Sequence, residues 1–352
     1  MVGSLAKLCV CALVVVVASP PGAAQIQRAA DNRPASLQEA ENAINTITRT
    51  INARPQPQEA NETRTWGFAT GLEDSFDGTY AFTRAIEYAE QMGEQASSRE
   101  SVTENVSMQL RVQAGPPRPD GISVVNATVM RYRARVESPD GPVSVDFDLS
   151  RELPDDADGF TGLDAMLPAL KNAEIQVLVD TNGNVNAIDG LPDVAAVLAE
   201  DAGGAALFSV LDETQFAVLF SKLFNAEGGV ERAKTLPAGE DSTWSTVEEV
   251  PMGPSGDLII TRSWTPRALP SGEIEARGVF AASIDNAPAG QDGATPSCNV
   301  GSYSGVSRIL WQQDGGLGYL NATEAIALEW TLGVETLRTV QQTVTTINRL
   351  EE

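Results

Sequence analysis

Met130-Arg131-Tyr132-Arg133-Ala134-Arg135-Val136, followed by Val143-Ser144-Val145-Asp146-Phe147-Asp148-Leu149-Ser150, is the stretch that decides the fold. In each run apolar and polar residues alternate. Successive strand side chains point to opposite faces, so a period of two means a strand with one face packed and one wet. Between the runs, Ser138-Pro139-Asp140-Gly141-Pro142 is rich in turn formers, so the two strands read as a hairpin. A four-residue loop over 139–142 predicts Arg135 opposite Asp146 and Arg133 opposite Asp148. On the buried face it sets Val136, Ala134 and Tyr132 against Val145, Phe147 and Leu149.

The same period recurs to either side. Residues 79–92 place Tyr80, Phe82, Ile86, Tyr88 and Met92 on one strand face. Ala85, Glu87, Ala89, Glu90 and Gln91 would also suit a helix; a strand is expected. After Gly239, strands are expected over 243–250, 258–265, 273–284, 301–312, 317–332 and 337–347. Within 273–284, Ile274, Ala276, Gly278, Phe280, Ala282 and Ile284 alternate with Glu273, Glu275, Arg277 and Ser283, the pattern of a sheet packed on one side. Asp-Gly pairs beginning at Asp77, Asp120, Asp140, Asp158, Asp189, Asp292 and Asp314 punctuate the chain. Strands joined by such turns make an antiparallel sheet.

The middle of the chain is helical. Helices are expected over 160–171, 192–200 and 212–225, with a hairpin of 174–180 and 185–188 about Asn182-Gly183. In the last helix Asp212 is the cap, and Phe216, Leu219, Phe220, Leu223 and Phe224 form a continuous apolar face that other elements must cover.

At the start, Lys7, the apolar run 8–18 and the small residues Gly22-Ala23-Ala24 read as a secretory signal cleaved after Ala24. The run is too short for the ~20 apolar residues of a membrane span. Ser36 and Glu39 form a capping box, and Leu37, Ala40, Ile44, Ile47 and Ile51 make an amphipathic helix, with 54–64 as a linker. The organisation is therefore 1–24 signal peptide, 25–64 N-terminal helix and linker, and 65–352 a single β-rich domain with a helical insertion at about 159–228.

Composition removes several chemistries. The 352 residues carry 24 Lys+Arg against 48 Asp+Glu, a formal net charge of −24, and no basic run that could neutralise phosphates. Nucleic acid is not an expected partner. The chain has no His, which removes the usual general base, the Ser/His and Cys/His pairs and every imidazole metal site. Of three cysteines, Cys9 and Cys11 belong to the signal. Cys298, in what reads as a polar loop, is a spectator thiol.

Local motifs add little. Residues 180–186 resemble a calcium loop, but Val185 stands where Gly is needed and Leu191 where the bidentate Glu belongs. A hairpin explains them. The acidic clusters Asp155-Asp156 with Asp158, and Glu248-Glu249, could serve a paired-carboxylate hydrolysis only at the right spatial separation; solvated carboxylates are the plainer reading. Residues 301–305 resemble a nucleophile elbow but carry Tyr303 at the centre. No metal site and no cofactor are expected, and an enzyme is not.

The aromatics are the candidate site. Trp244, Trp264, Trp311 and Trp330 fall on four separate strands of the second half, and Phe208, Phe216, Phe220 and Phe224 in the helical region. In a sheet curved around those helices, the two sets either line a ligand cavity or fill a core.

The order helix, antiparallel strands, central helices with a hairpin, and more antiparallel strands resembles the half-barrel of periplasmic lipoprotein-carrier and mycobacterial lipid-carrier proteins. The segment Ile175 to Val185, the following Leu191-Pro192, and Leu236-Pro237-Ala238-Gly239 leading to Trp244 are similar to secreted proteins of planctomycete-type bacteria. That family brings no known activity. The expected fold is α+β, mainly antiparallel β: a curved, half-barrel-like sheet with a central helical layer. The expected role is an exported, non-catalytic carrier or binding module for an apolar ligand such as a lipid. A structural or protein-interaction component of the periplasm or cell surface is the alternative.

Overall fold

The computed structural model describes residues 76–92, 99–139, 141–150, 163–181, 183–193, 207–225, 243–252, 256–269, 271–285, 297–312, 316–332 and 335–350. The expected signal, the N-terminal helix and linker, and the acidic cluster at 155–158 lie outside them.

Twelve strands form one antiparallel sheet. They are β1 (Phe76–Met92), β2 (Arg99–Ala114), β3 (Ser123–Ser138), β4 (Gly141–Asp148), β5 (Ile175–Val179), β6 (Val185–Asp189), β7 (Trp244–Pro251), β8 (Asp257–Ala268), β9 (Ile274–Asp285), β10 (Ser297–Trp311), β11 (Leu317–Leu332) and β12 (Glu335–Leu350). Their order is β6-β5-β3-β2-β1-β12-β11-β10-β9-β8-β7, with β4 also paired to β3. β3 is shared along its length: Arg131 to Ser138 pair with β4, and Ser123 to Ala127 with β5. Two helices, α1 (Leu163–Lys171) and α2 (Glu213–Asn225), and a single helical turn, Ser209–Leu211, complete the described elements. The sheet is open and curved, and its inward face carries the core.

The alternation read from sequence is the phase of burial. On β3 the residues Tyr132, Ala134 and Val136 are buried and Arg131, Arg133 and Arg135 exposed. Residues 79–92 are strand, held between β2 and β12. The hairpin register differs from the expected one. β3 ends at Ser138, which pairs directly with Gly141, so Val136 meets Val143, Ala134 meets Val145, Tyr132 meets Phe147 and Arg133 meets Asp146. Gly141 has φ +116, a conformation open to glycine that allows the shorter connection. The shift is two residues, so every side chain keeps its face. Phe147 is only half-buried.

Other expectations shift at the edges. Cys298 lies on β10 instead of in a loop, buried in a second apolar cluster. Residues 191–193 have no regular structure, and the rest of the expected 192–200 helix is outside the described residues. The hairpin at 180–186 forms: the Asp180 carboxylate accepts from the Asn184 backbone N–H at 2.9 Å and from its side-chain amide at 2.9 Å. That turn is also a seat for α2. A Cβ on Gly183 would come 2.4 Å from the Phe224 carbonyl oxygen, and the Asn225 amide donates to Asn184 Oδ1 at 2.8 Å. At the other end of α2, Asp212 Oδ1 accepts from the N–H groups of Thr214 and Gln215 at 3.0 and 3.4 Å, the cap expected from sequence.

Candidate functional site on the inward face

Seven of the eight candidate aromatics share one core. Phe216, Phe220 and Phe224 follow one another along α2 with ring centroids 5.0 and 5.5 Å apart. Phe208 stacks on Tyr132 at 5.1 Å, and the Tyr132 hydroxyl donates to the Leu207 carbonyl at 2.6 Å. Burial and the nearby Glu104 charge push the Tyr132 phenol far up. Trp244 of β7 stacks on Trp264 of β8 at 5.9 Å, and Trp311 of β10 lies 6.4 Å from Trp244. The wide Trp264 indole is possible because Gly278 stands opposite it; a Cβ there would sit 2.6 Å from the ring. Trp330 of β11 is apart. It packs on the second cluster, with Tyr88, Leu258, Ile260, Cys298, Ile326 and Leu328, drawn from the strands.

Two arginines enter this inward face. Arg84 of β1, 1% exposed, donates to Glu104 at 2.5 Å, to Gln215 of α2 at 2.9 Å and to Ser209 at 2.8 Å. Ser209 in turn donates to the second Glu104 oxygen at 3.2 Å. One cation meets one carboxylate, and the loop closes on itself. This centre ties the helical layer to the sheet.

Arg262 of β8 is the counterpart. It donates to Glu248 at 2.6 Å and reaches Glu324 of β11 at 3.5 Å. The registers place Arg262, Phe280, Gly305 and Glu324 in one row across four strands. The guanidinium lies 5.4 Å from the Phe280 ring centroid, and Gly305 leaves the ring its space, since a Cβ there would be 2.3 Å from Phe280. Tyr303 donates to the same Glu324 oxygen at 2.8 Å; burial, with the Glu324 charge, pushes its phenol far up.

Beside this row runs a polar strip. Thr339, Gln341, Thr343 and Thr345 of β12 all point inward, opposite Leu328, Ile326, Glu324 and Ala322, and all are buried. Gln341 Nε2 donates to Thr343 at 3.1 Å. The other oxygen of Glu324, Gln341 Oε1 and the hydroxyls of Thr339 and Thr345 have no partner. A buried polar atom without a partner costs about 1–3 kcal/mol, and native structures hold few of them.

Of these groups the sequence had singled out only Glu248, as half of an acidic pair, and Tyr303, at the centre of 301–305; Arg84, Arg262 and Glu324 were not among its candidates, yet the signal was present. Arg84 interrupts the inward run Tyr80, Phe82, Ile86, Tyr88; Arg262 interrupts Leu258, Ile260, Trp264; Glu324 interrupts Leu320, Ala322, Ile326, Leu328. A charge on the packed phase of an alternating strand must have a partner or a purpose. On the outward face a further buried carboxylate, Glu275, is ringed by Arg308 at 2.5 Å, Arg267 at 2.8 Å and Arg277 at 3.3 Å. Burial works to raise its pKa, but the Arg308 hydrogen bond and the three cations outweigh it and hold the carboxyl below its ordinary 4.5.

The chain matches no protein-family model and no curated protein. Among solved structures it is similar to lipovitellin, in a structure concerned with lipid–protein interactions, at 10% identity and TM-score 0.33; the match covers 83% of this chain and 26% of that one. This chain thus spans about a quarter of the lipovitellin length. A second likeness is to DynF of the dynemicin biosynthesis pathway of Micromonospora chersina, at 8% identity and TM-score 0.18, covering 85% and 94% of the two chains. A third is to OccK11 (OpdR) of Pseudomonas aeruginosa, at 8% identity and TM-score 0.17, covering 83% and 100%. At these scores the likenesses carry no argument about function. No helix among the described residues is long and apolar enough to cross a membrane, which leaves strand-built spans untouched.

Proposed function

We propose that this protein is an exported, non-catalytic carrier or binding module for an apolar ligand such as a lipid, held against the inward face of the sheet. The observation that carries the reading is the aromatic floor under a helical layer. Trp244, Trp264 and Trp311 come from three strands of one face and share a core with Phe208, Phe216, Phe220 and Phe224. α2 is tied down at discrete points, through Gln215 to Arg84 and through Asn225 to Asn184. The apolar face of α2 is buried against this floor, and an apolar guest would take the place of part of that contact. Trp330 would line the second cluster instead. Export rests on the signal-like residues 1–24, and the kinship with secreted planctomycete-type proteins belongs to the same proposal.

Organic extraction of natively purified protein followed by mass spectrometry tests this reading. A co-purifying lipid at near-stoichiometric amount is expected, with the protein chain beginning at Gln25. Extracts free of lipid, together with no change in thermal midpoint on adding lipid, would overturn it. The interaction-component reading draws on a separate observation. β7 ends the strand order and exposes Val247 at 61% on its outward side, and a terminal strand is where another chain can add.

A further inference from the structure

The Arg262 centre differs from the rest of the inward face in charge, in unfilled bonding capacity and in position. Its ion pairs set one guanidinium against two carboxylates, Glu248 and Glu324. Glu324 is 0% exposed, and one of its oxygens has no partner; Gln341, also 0% exposed, has its carbonyl oxygen in the same condition. A carboxylate and an amide oxygen can only accept, and no hydrogen-bond donor is within reach of these two oxygens. Its neighbours across the register are apolar: Gln341 stands opposite Ile326 on one side and Tyr88 on the other, both members of the second apolar cluster.

We infer that these oxygens receive the hydrogen-bond-donating head of an amphiphile, a hydroxyl or an ammonium, whose apolar chain lies along the cluster of Ile326, Leu328 and Ile260. This rests on the apolar-ligand reading above and names the class of ligand. A phosphate or carboxylate head does not fit. It would bring further acceptors against Glu324 and Gln341, while Arg262 is already engaged by two carboxylates. An unpartnered donor of the same cluster's surroundings, the Trp330 indole N–H, lies six residues along β11 from Glu324, about 20 Å away at the rise of an extended strand. It is out of reach of the same head.

Three probes with one and the same apolar chain separate the possibilities: oleyl alcohol, oleylamine and oleate, each titrated as monomers into the full chain and followed by calorimetry. The alcohol should bind at least about tenfold tighter than oleate, and the amine tighter still. Comparing alcohol with oleate for each variant guards against the general attraction of an acidic protein for a cation. Gln341→Leu and Glu324→Gln should each cut the alcohol's advantage to within about threefold while leaving oleate affinity unchanged. Gln341→Leu should also raise the thermal midpoint of the ligand-free protein, because it removes an orphaned polar group. Equal binding of the probes, tighter binding of oleate, or an alcohol advantage unaltered in both variants would overturn the inference and leave these oxygens to buried water, with the apolar-ligand reading intact. Failure of all three probes to bind would overturn both.

Discussion

Arg84 and Arg262 reach the interior by the same route, a cation on the packed phase of an alternating strand, and end in opposite conditions. Around Arg84 charges balance, and Glu104, Ser209 and Gln215 bond in a closed circuit. Around Arg262 the carboxylates outnumber the cation, and buried oxygens of Glu324 and Gln341 have no hydrogen-bond partner. A buried ion pair is weak evidence for stability, since desolvation opposes attraction. What distinguishes the two centres is completeness. A complete circuit fixes how elements are joined; an incomplete one, in a low-dielectric setting where unpaired groups are costly, marks a place shaped for something else.

The largest effect expected from breaking this contrast is at Arg84. Arg84→Met removes one member of the circuit and strands Glu104, and should cost about 3–5 kcal/mol in urea unfolding. Adding Glu104→Leu should recover much of that loss. At the other centre, Glu324→Gln leaves Arg262 its second carboxylate, Glu248, and relieves surplus negative charge, so the loss should be smaller than at Arg84. Equal losses for Arg84→Met and Glu324→Gln would end the distinction drawn between the two arginines.

Gly305→Ala probes the path by which Arg262 reaches Glu324. The added methyl meets Phe280 at 2.3 Å, and overpacking of this kind costs about 1–3 kcal/mol. Phe280→Leu in the same chain should restore a good part of it; no restoration would show that the ring is not the obstacle.

Glu275 offers a sharper comparison, a buried carboxylate that faces outward with three cations around it. Its folded pKa lies below the ordinary value. Its contribution to stability is therefore present above the unfolded pKa, near 4.5, and is lost as pH falls through the lower folded value. The stability difference between the natural chain and Glu275→Gln should be constant near neutrality and shrink in acid. A difference that grew below pH 4 would mean that the folded carboxyl titrates above its unfolded value.

The smallest effect belongs to Asp146, bridged to Arg131 at 3.1 Å and Arg133 at 2.7 Å on the wet face of the β3–β4 hairpin. Asp146→Ala should cost under about 1 kcal/mol. A loss as large as that of Arg84→Met would mean that exposure does not grade these ion pairs.

The strands were legible in the sequence wherever one face is packed and one wet, because burial then writes a period of two. β3 and β9 are of this kind. The hairpin register was not, since a shift by two residues preserves every face and leaves only turn geometry, here Gly141, to decide. The site was half legible. Composition drew attention to Trp and Phe, the residues that fill cores, whereas Arg84, Arg262 and Glu324 announce themselves only as breaks in an apolar phase. The strip Thr339, Gln341, Thr343 and Thr345 gave no such signal, because β12 is buried on both faces, as Val340 and Val344 show, and its polar and apolar residues do not sort by phase.

The middle of the sheet is a seam between distant parts of the chain. β7 to β12 follow one another as a meander, β1 to β3 as another, and the two are stitched where Ile86 meets Thr343. Each meander closes short loops and can form early, but the β1–β12 seam must bring together segments near opposite ends of the described chain. Closing so long a loop is the slow step of a sheet like this. Until it closes, β1 and β12 each present a long unpaired edge to any neighbour. Folding should therefore be limited by one late zippering event, and the seam is where the nascent protein is most exposed to pairing with the wrong partner.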